Sequence, residues 1–321
     1  MNTKKITTLA NSAVIVQFIH PGLERPVESS DGREPVLVPW VGSSSCNGEN
    51  TCSGKRCGCS SREKGSKTSY DGHSRRLVIH DGEFVNEKGN KESGKLAFWT
   101  EWEAETKATR MPNPSDSFSA KWWHTVVSPL KASKIGPQNT DPCVFGKSFK
   151  YCYCQQRKNN ILRHLGPDSL ILFGSKILGT FYLDTVFVVG DDIANYDASN
   201  PDSVDASPDY KELTVKRIAS GKHTFYRGRT IGASKSRQTY SFAPARRFVE
   251  EYPTCGARCK IDIGLVNGVI PSGQDKLFPK LGRFHRDAYV EKSTVFAVWS
   301  EILRQVRENG FVPAVHFDWP D

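Results

Sequence analysis

Short apolar runs recur along this chain between clusters of Gly, Pro, Ser and Asn, a pattern that predicts more strand than helix. Residues 14–20 (VIVQFIH) place Val14, Val16, Phe18 and His20 on one side of a strand. Residues 76–80 and 96–103 are further candidates. Residues 169–175 (SLILFGS) and 181–189 (FYLDTVFVV) are nearly continuous apolar runs, as expected of strands covered on both faces. One stretch has helical spacing, in Val295, Val298, Trp299, Ile302, Leu303 and Val306. Ser293 can cap its start, Arg304 and Arg307 lie toward its end, and Gly310 follows. A last strand, Val312–Phe317, returns to the core. The expected fold is α+β: a strand-rich mixed or barrel-like sheet with long loops at 41–75 and 191–210 and a C-terminal helix.

This pattern divides the chain into a strand-rich core at 1–190, carrying a Cys-rich loop at 46–59, and an acidic loop or linker at 191–210. A basic segment with the C-terminal helix follows at 211–321, either separate or part of the same domain. Within the core, LAFWTEWEAE (96–105) interleaves tryptophans and glutamates. Strand alternation sets Phe98, Thr100 and Trp102 on one face and Trp99, Glu101 and Glu103 on the other. A carboxylate can accept hydrogen bonds from the N1–H and exocyclic amine of a guanine-like base while Trp99 supplies a stacking face. The same glutamates could instead do general acid/base work, or lie on a solvent-facing edge paired with Lys95 or Lys107.

The formal net charge is +9 over 321 residues, and it is unevenly placed. Residues 191–210 hold six aspartates and no Lys or Arg, whereas 211–247 hold ten Lys or Arg against Glu212. Lys222, Arg227, Arg229, Lys235, Arg237, Arg246 and Arg247 are the candidate nucleic-acid contacts, with Phe225, Tyr226, Tyr240, Phe242 and Phe248 among them. Cations neutralise phosphates and exposed rings stack on unpaired bases; the alternative is a solvated basic face with its aromatics in the core. No stretch reaches the length of a membrane span. The N-terminal apolar run is broken by Asn11, Ser12 and Gln17 and lacks a signal-peptide cleavage site, so a cytoplasmic, reducing location is expected.

Reduced thiols suit metal. Cys46, Cys52, Cys57 and Cys59 lie in a loop nearly devoid of apolar side chains, which four thiolates around a structural zinc would organise. Cys255 and Cys259 form a second possible half-site, with Cys152 and Cys154 as the other half; buried or surface free thiols are the alternative. Cys154, opening a polar CQQ run, is the candidate nucleophile. His20 and His80 each end an expected strand, where side chains often reach a cleft. Asp184 interrupts an apolar strand and is either structural glue or an acid/base group.

FIHPG (18–22), FWTEWE (98–103), NTDPCVFG (139–146) and SLILFGS followed by FYLDTVFVV together resemble proteins associated with DNA-base hypermodification, particularly those of bacterial 7-deazaguanine DNA-modification islands. The resemblance covers roughly residues 14–190, and the last strand pair is also similar, at fold level, to PUA-like base-binding folds. It implies a base-binding core, DNA and other modification proteins as partners, and conversion of a base-borne nitrile, in cyano-deazaguanine, to the carboxamide. Cys154 would attack, and Glu101, Glu103 or a histidine would handle protons. The alternative it implies is a PUA-like reader of modified bases with no chemistry of its own.

Overall fold

A computed structural model describes residues 12–24, 74–102, 108–110, 125–127, 142–153, 156, 160–177, 180–217, 221–232, 238–248, 258–270 and 289–319. In chain order the strands are β1 (Ser12–Glu24), β2 (Ser74–Val85), β3 (Lys91–Trp102), β4 (Ala108–Arg110), β5 (Thr125–Val127), β6 (Lys150–Tyr151), β7 (Leu170–Ile177) and β8 (Thr180–Asp197). Then come α1 (Pro208–Leu213), β9 (Lys222–Gly228), β10 (Ala243–Arg247), β11 (Cys259–Ile261), α2 (Ile263–Gly268), β12 (Tyr289–Glu291), α3 (Lys292–Glu308) and β13 (Val312–Phe317).

A mixed seven-stranded sheet runs β12-β1-β7-β8-β9-β6, with β11 also paired to β8. Only β1 and β7 are parallel within it. The apolar runs fold here because both faces are covered. Val14, Val16 and Phe18 of β1, Ile171 and Phe173 of β7, and Phe187 and Val189 of β8 enter one core. Their alternates Ala13, Ile15, Leu170, Leu172, Val186 and Val188 enter a second.

The strands β2, β3, β10 and β13 pair in a closed antiparallel ring, a small four-stranded barrel, with β5 and β4 added beyond β2. The barrel contributes Phe84, Leu96, Phe98, Ala245, Ala314 and Phe317 to the first core, where the rings of Phe98 and Phe317 stack with centroids 3.8 Å apart. The second core is sealed by α3 through Val295, Val298, Trp299, Ile302 and Val306, and Trp299 Nε1 donates to Tyr240 O at 2.9 Å. The fold is thus strand-rich α+β, a mixed sheet and a small barrel with a C-terminal helix. No helix among the described residues is long and apolar enough to cross a membrane.

Two local expectations change. The N-cap of α3 is Glu291 rather than Ser293, whose Oγ lies 3.3 Å from Glu291 Oε2. Pairing of β12 with β1 keeps the chain extended through Glu291, so the helix begins directly after it. The strand expected to end at His20 runs to Glu24 past a register irregularity between Ile19 and Leu23.

The acidic stretch 191–210, expected as a loop or linker, begins inside β8. Its first seven residues complete β8, and Tyr196, Ala198, Val204 and Tyr210 are buried in the first core. Its described aspartates, Asp191, Asp192, Asp197, Asp202 and Asp205, stay exposed. High charge thus coexists with a sparse set of apolar anchors. Residues 222–317 feed strands into both the sheet and the barrel.

Candidate functional site

Trp99 lies on β3 with only 3% of its surface exposed. The Arg258 guanidinium sits 5.2 Å from the Trp99 ring centroid and 5.5 Å from that of Tyr182. The stacking face expected of Trp99 is therefore closed, because alternation tells which face a side chain takes but not what later covers it. Glu101 lies in β3 opposite Arg75, and His20 lies in β1. Glu103 falls outside the described residues, as do Cys154, Lys235, Arg237, Cys255 and the loop bearing Cys46, Cys52, Cys57 and Cys59.

Asp184 joins the same cluster as Trp99. Phe173 pairs with Thr185 while Gly174 pairs with Leu183, so Asp184 is the extra residue of a β-bulge, a device that re-aims a side chain. Its Oδ1 accepts from Arg258 Nη2 at 3.2 Å, and that Nη2 also lies 2.8 Å from Ser175 Oγ. Asp184 and Arg258 are both buried. Sequence singled out Trp99 and Asp184 separately; Arg258, which ties them together, it missed. A carboxylate inside an apolar strand was the usable signal, since burial demands a cation for it.

Cys152 and Cys259, expected in the two halves of one possible site, stay apart. Cys152 is buried in the first core, where Tyr210 Oη donates to its Sγ at 3.1 Å. Cys259 lies in the second core, and burial pushes its thiol well above the ordinary range. The two therefore occupy opposite sides of the sheet. No group of three or more His, Cys, Asp or Glu among the described residues is arranged to hold a metal. His80 is half-buried, its ring 6.1 Å from that of Phe145.

The charges of the basic segment fall in different settings. Arg229 is buried and ion-paired with Asp168, and its Nη1 lies 3.0 Å from Thr239 Oγ1. Arg227 pairs with Asp192 and, at 2.7 Å, with Asp205 of the acidic stretch. These two arginines hold structure. Lys222 opens onto one cleft, and Arg246 and Arg247 onto another.

The cleft beside Lys222, of about 490 Å³, is built from three cross-strand pairs of β8 and β9: Asn195 with Thr224, Tyr196 with His223, and Asp197 with Lys222. Arg163 and His164, at the end of the 3₁₀ turn Asn160–Arg163, complete the lining. Tyr196 and His223 form a buried floor with ring centroids 5.8 Å apart, while His164, Asn195, Asp197 and Lys222 form an exposed rim. Backbone and hydroxyl hydrogen bonds from Ser199 hold the Asp197 carboxyl below its ordinary value, so the rim carries an anionic acceptor beside the Lys222 cation. Asn195 Oδ1 lies 2.9 Å from Thr224 Oγ1, which leaves the amide NH₂ as a donor.

The chain on either side of Cys154 is fastened to this cleft. The Tyr153 ring lies 5.5 Å from that of His223. Gln156 Nε2 donates to Thr224 O at 2.7 Å, and its Oε1 accepts from Thr224 N at 2.9 Å. Sequence reading passed over His223, Tyr196, Asn195, Asp197, Arg163 and His164, because the stretch that contributes Asn195, Tyr196 and Asp197 looked like a linker. Comparisons with protein-family models, curated proteins and solved structures find no match for this chain.

Proposed function

We propose that this chain is a DNA-binding protein that holds one base in the Tyr196–His223 cleft and acts on it. The observation that carries this reading is the cleft. It combines a nucleotide-sized volume and an aromatic floor with a carboxylate acceptor, an amide donor and the Lys222 cation at its rim. The resemblance to 7-deazaguanine DNA-modification proteins supplies the chemistry, conversion of a cyano-deazaguanine nitrile to the carboxamide. The Cys154 thiolate adds to the nitrile carbon while a proton passes to nitrogen. Water then adds to the thioimidate, and collapse expels the thiolate, for a net uptake of one water. Attachment of Tyr153 and Gln156 beside His223 and Thr224 supports a role for Cys154 here. Structural zinc on Cys46, Cys52, Cys57 and Cys59 belongs to the same proposal, and elemental analysis of purified protein tests it: one zinc per chain is expected, and a metal-free folded protein rejects it.

A second reading, a reader without chemistry, is favoured by the absence of cysteine and serine from the described cleft lining. Mass spectrometry of nucleosides, after incubation with DNA containing the nitrile base, separates the two. A gain of one water that disappears in Cys154→Ala is the expected result. Tight binding without mass gain selects the reader, and neither binding nor gain rejects both.

A further inference from the structure

The barrel carries another cleft, of about 550 Å³, between the β2–β3 turn, β10 and the exit of α3. Lys88, Arg246, Arg247 and Arg307 line it, against the two carboxylates of Glu87 and Glu92. These guanidinium groups are held in place by rings and carbonyls. Arg246 sits 4.5 Å from the Phe311 centroid, and its Nη2 donates to Asn309 O at 3.1 Å. Arg247 sits 4.6 Å from the Phe84 centroid. Arg307 Nη2 donates to Asn86 O at 3.3 Å. Side chains fixed in this way have less rotamer freedom left to lose when a ligand arrives.

Glu92 is the internal counter-charge. Its Oε2 meets Arg247 Nη2 at 3.1 Å, and its Oε1 accepts from Asn86 Nδ2 at 2.6 Å. Arg247 is 57% exposed at this pair, in the range where surface ion pairs contribute little and an anion of higher charge can displace them.

We infer that this cleft is a phosphate-binding site. Guanidinium forks match phosphate oxygens in pairs, and several such forks around one cavity suit an anion of charge greater than one, which favours phosphate over a single carboxylate. The phosphate belongs either to the backbone of a nucleic-acid strand or to a free nucleotide. The cleft's own geometry carries this, whether or not a base is held at Tyr196 and His223.

The test uses the full chain, a short labelled single strand read by fluorescence anisotropy across a salt series, and competition by pyrophosphate, a nucleoside triphosphate and polyglutamate. Arg247→Gln and Arg307→Gln should each weaken strand and pyrophosphate binding roughly three- to tenfold. For a strand, each should also lower the slope of log K against log salt by about one. Glu92→Gln should tighten binding about two- to fivefold by releasing Arg247. Exposed Lys147→Gln, outside the cleft, should change neither. Displacement of the strand by triphosphate at concentrations matching pyrophosphate assigns the site to a free nucleotide; resistance to triphosphate assigns it to the strand backbone. Pyrophosphate binding that depends on Arg247 and Arg307, without strand binding, keeps this site and removes the proposed DNA function. Wild-type affinity for strand and pyrophosphate in both arginine variants overturns the site, as does equal binding of polyglutamate.

Discussion

Asp168 shows how a single residue can join several constraints. It has a φ of 73°, in the left-handed region that Asp and Asn tolerate better than most side chains. From that turn its carboxylate reaches Arg229 and, at 2.8 Å, Lys292 at the start of α3. Burial alone would push the carboxyl up, but hydrogen bonds from Lys292 and Arg229 outweigh it and hold the group below its ordinary value of 3.8. A carboxyl more acidic when folded contributes its full stability above the unfolded pKa. That contribution is lost as pH falls through the folded pKa, because the unfolded chain takes up the proton first. Asp168→Asn keeps the turn and removes the charge. Below about pH 4, wild type should lose stability more steeply than Asp168→Asn in urea titrations, and parallel pH profiles would contradict the ion-pair account. Near neutral pH the variant should be weaker by about 3 kcal/mol, since Arg229 is left buried without its partner.

At the scale of elements, the sheet was legible because its strands carry apolar side chains on both faces. The bulge in β8 was not read from that pattern and is visible only in the packing. Phe181 and Leu183 share a core with Val186 and Val188, a slip of one residue in the alternation at Asp184. Opposite it, a Cβ on Gly174 would stand 2.2 Å from Tyr182 O and 2.7 Å from Phe181 Cζ. Gly174→Ala should therefore cost at least about 3 kcal/mol in equilibrium denaturation, and a loss under about 1 kcal/mol would show that the strands can part there. The Trp99 surface and the cleft were not legible, for a common physical reason. Periodicity encodes faces, whereas covering Trp99 takes Arg258, and building the cleft takes β9 with the 160–163 turn. Each of these comes from a distant part of the chain.

For the molecule as a whole, the division at residue 210 cuts across the structure. Strand β1 pairs with both β7 and β12, and the barrel closes β2 and β3 with β10 and β13. Separate fragments 1–210 and 211–321 would each lack half of a sheet or barrel and leave core side chains exposed. Neither should give a cooperative unfolding transition in calorimetry, whereas the full chain should; cooperative melting of either alone would restore the two-unit division. The net charge is partitioned in the same long-range way. Arg229 is paired with Asp168 in the interior, Arg227 is paired with exposed aspartates at the surface, and Lys222, Arg246 and Arg247 line the two clefts. Composition located the positive segment, but only pairing decided which of its charges reach solvent.

The position of β1 also governs synthesis on the ribosome. Its apolar segment is translated early, yet its partner at Tyr289–Glu291 follows roughly 275 residues later, a delay of about 14 to 55 s at ordinary elongation rates. Throughout that interval the nascent chain leaves the edge of Ser12, Ala13 and Val14 without its β12 partner. Slower translation therefore lengthens the window in which two nascent chains can meet edge to edge.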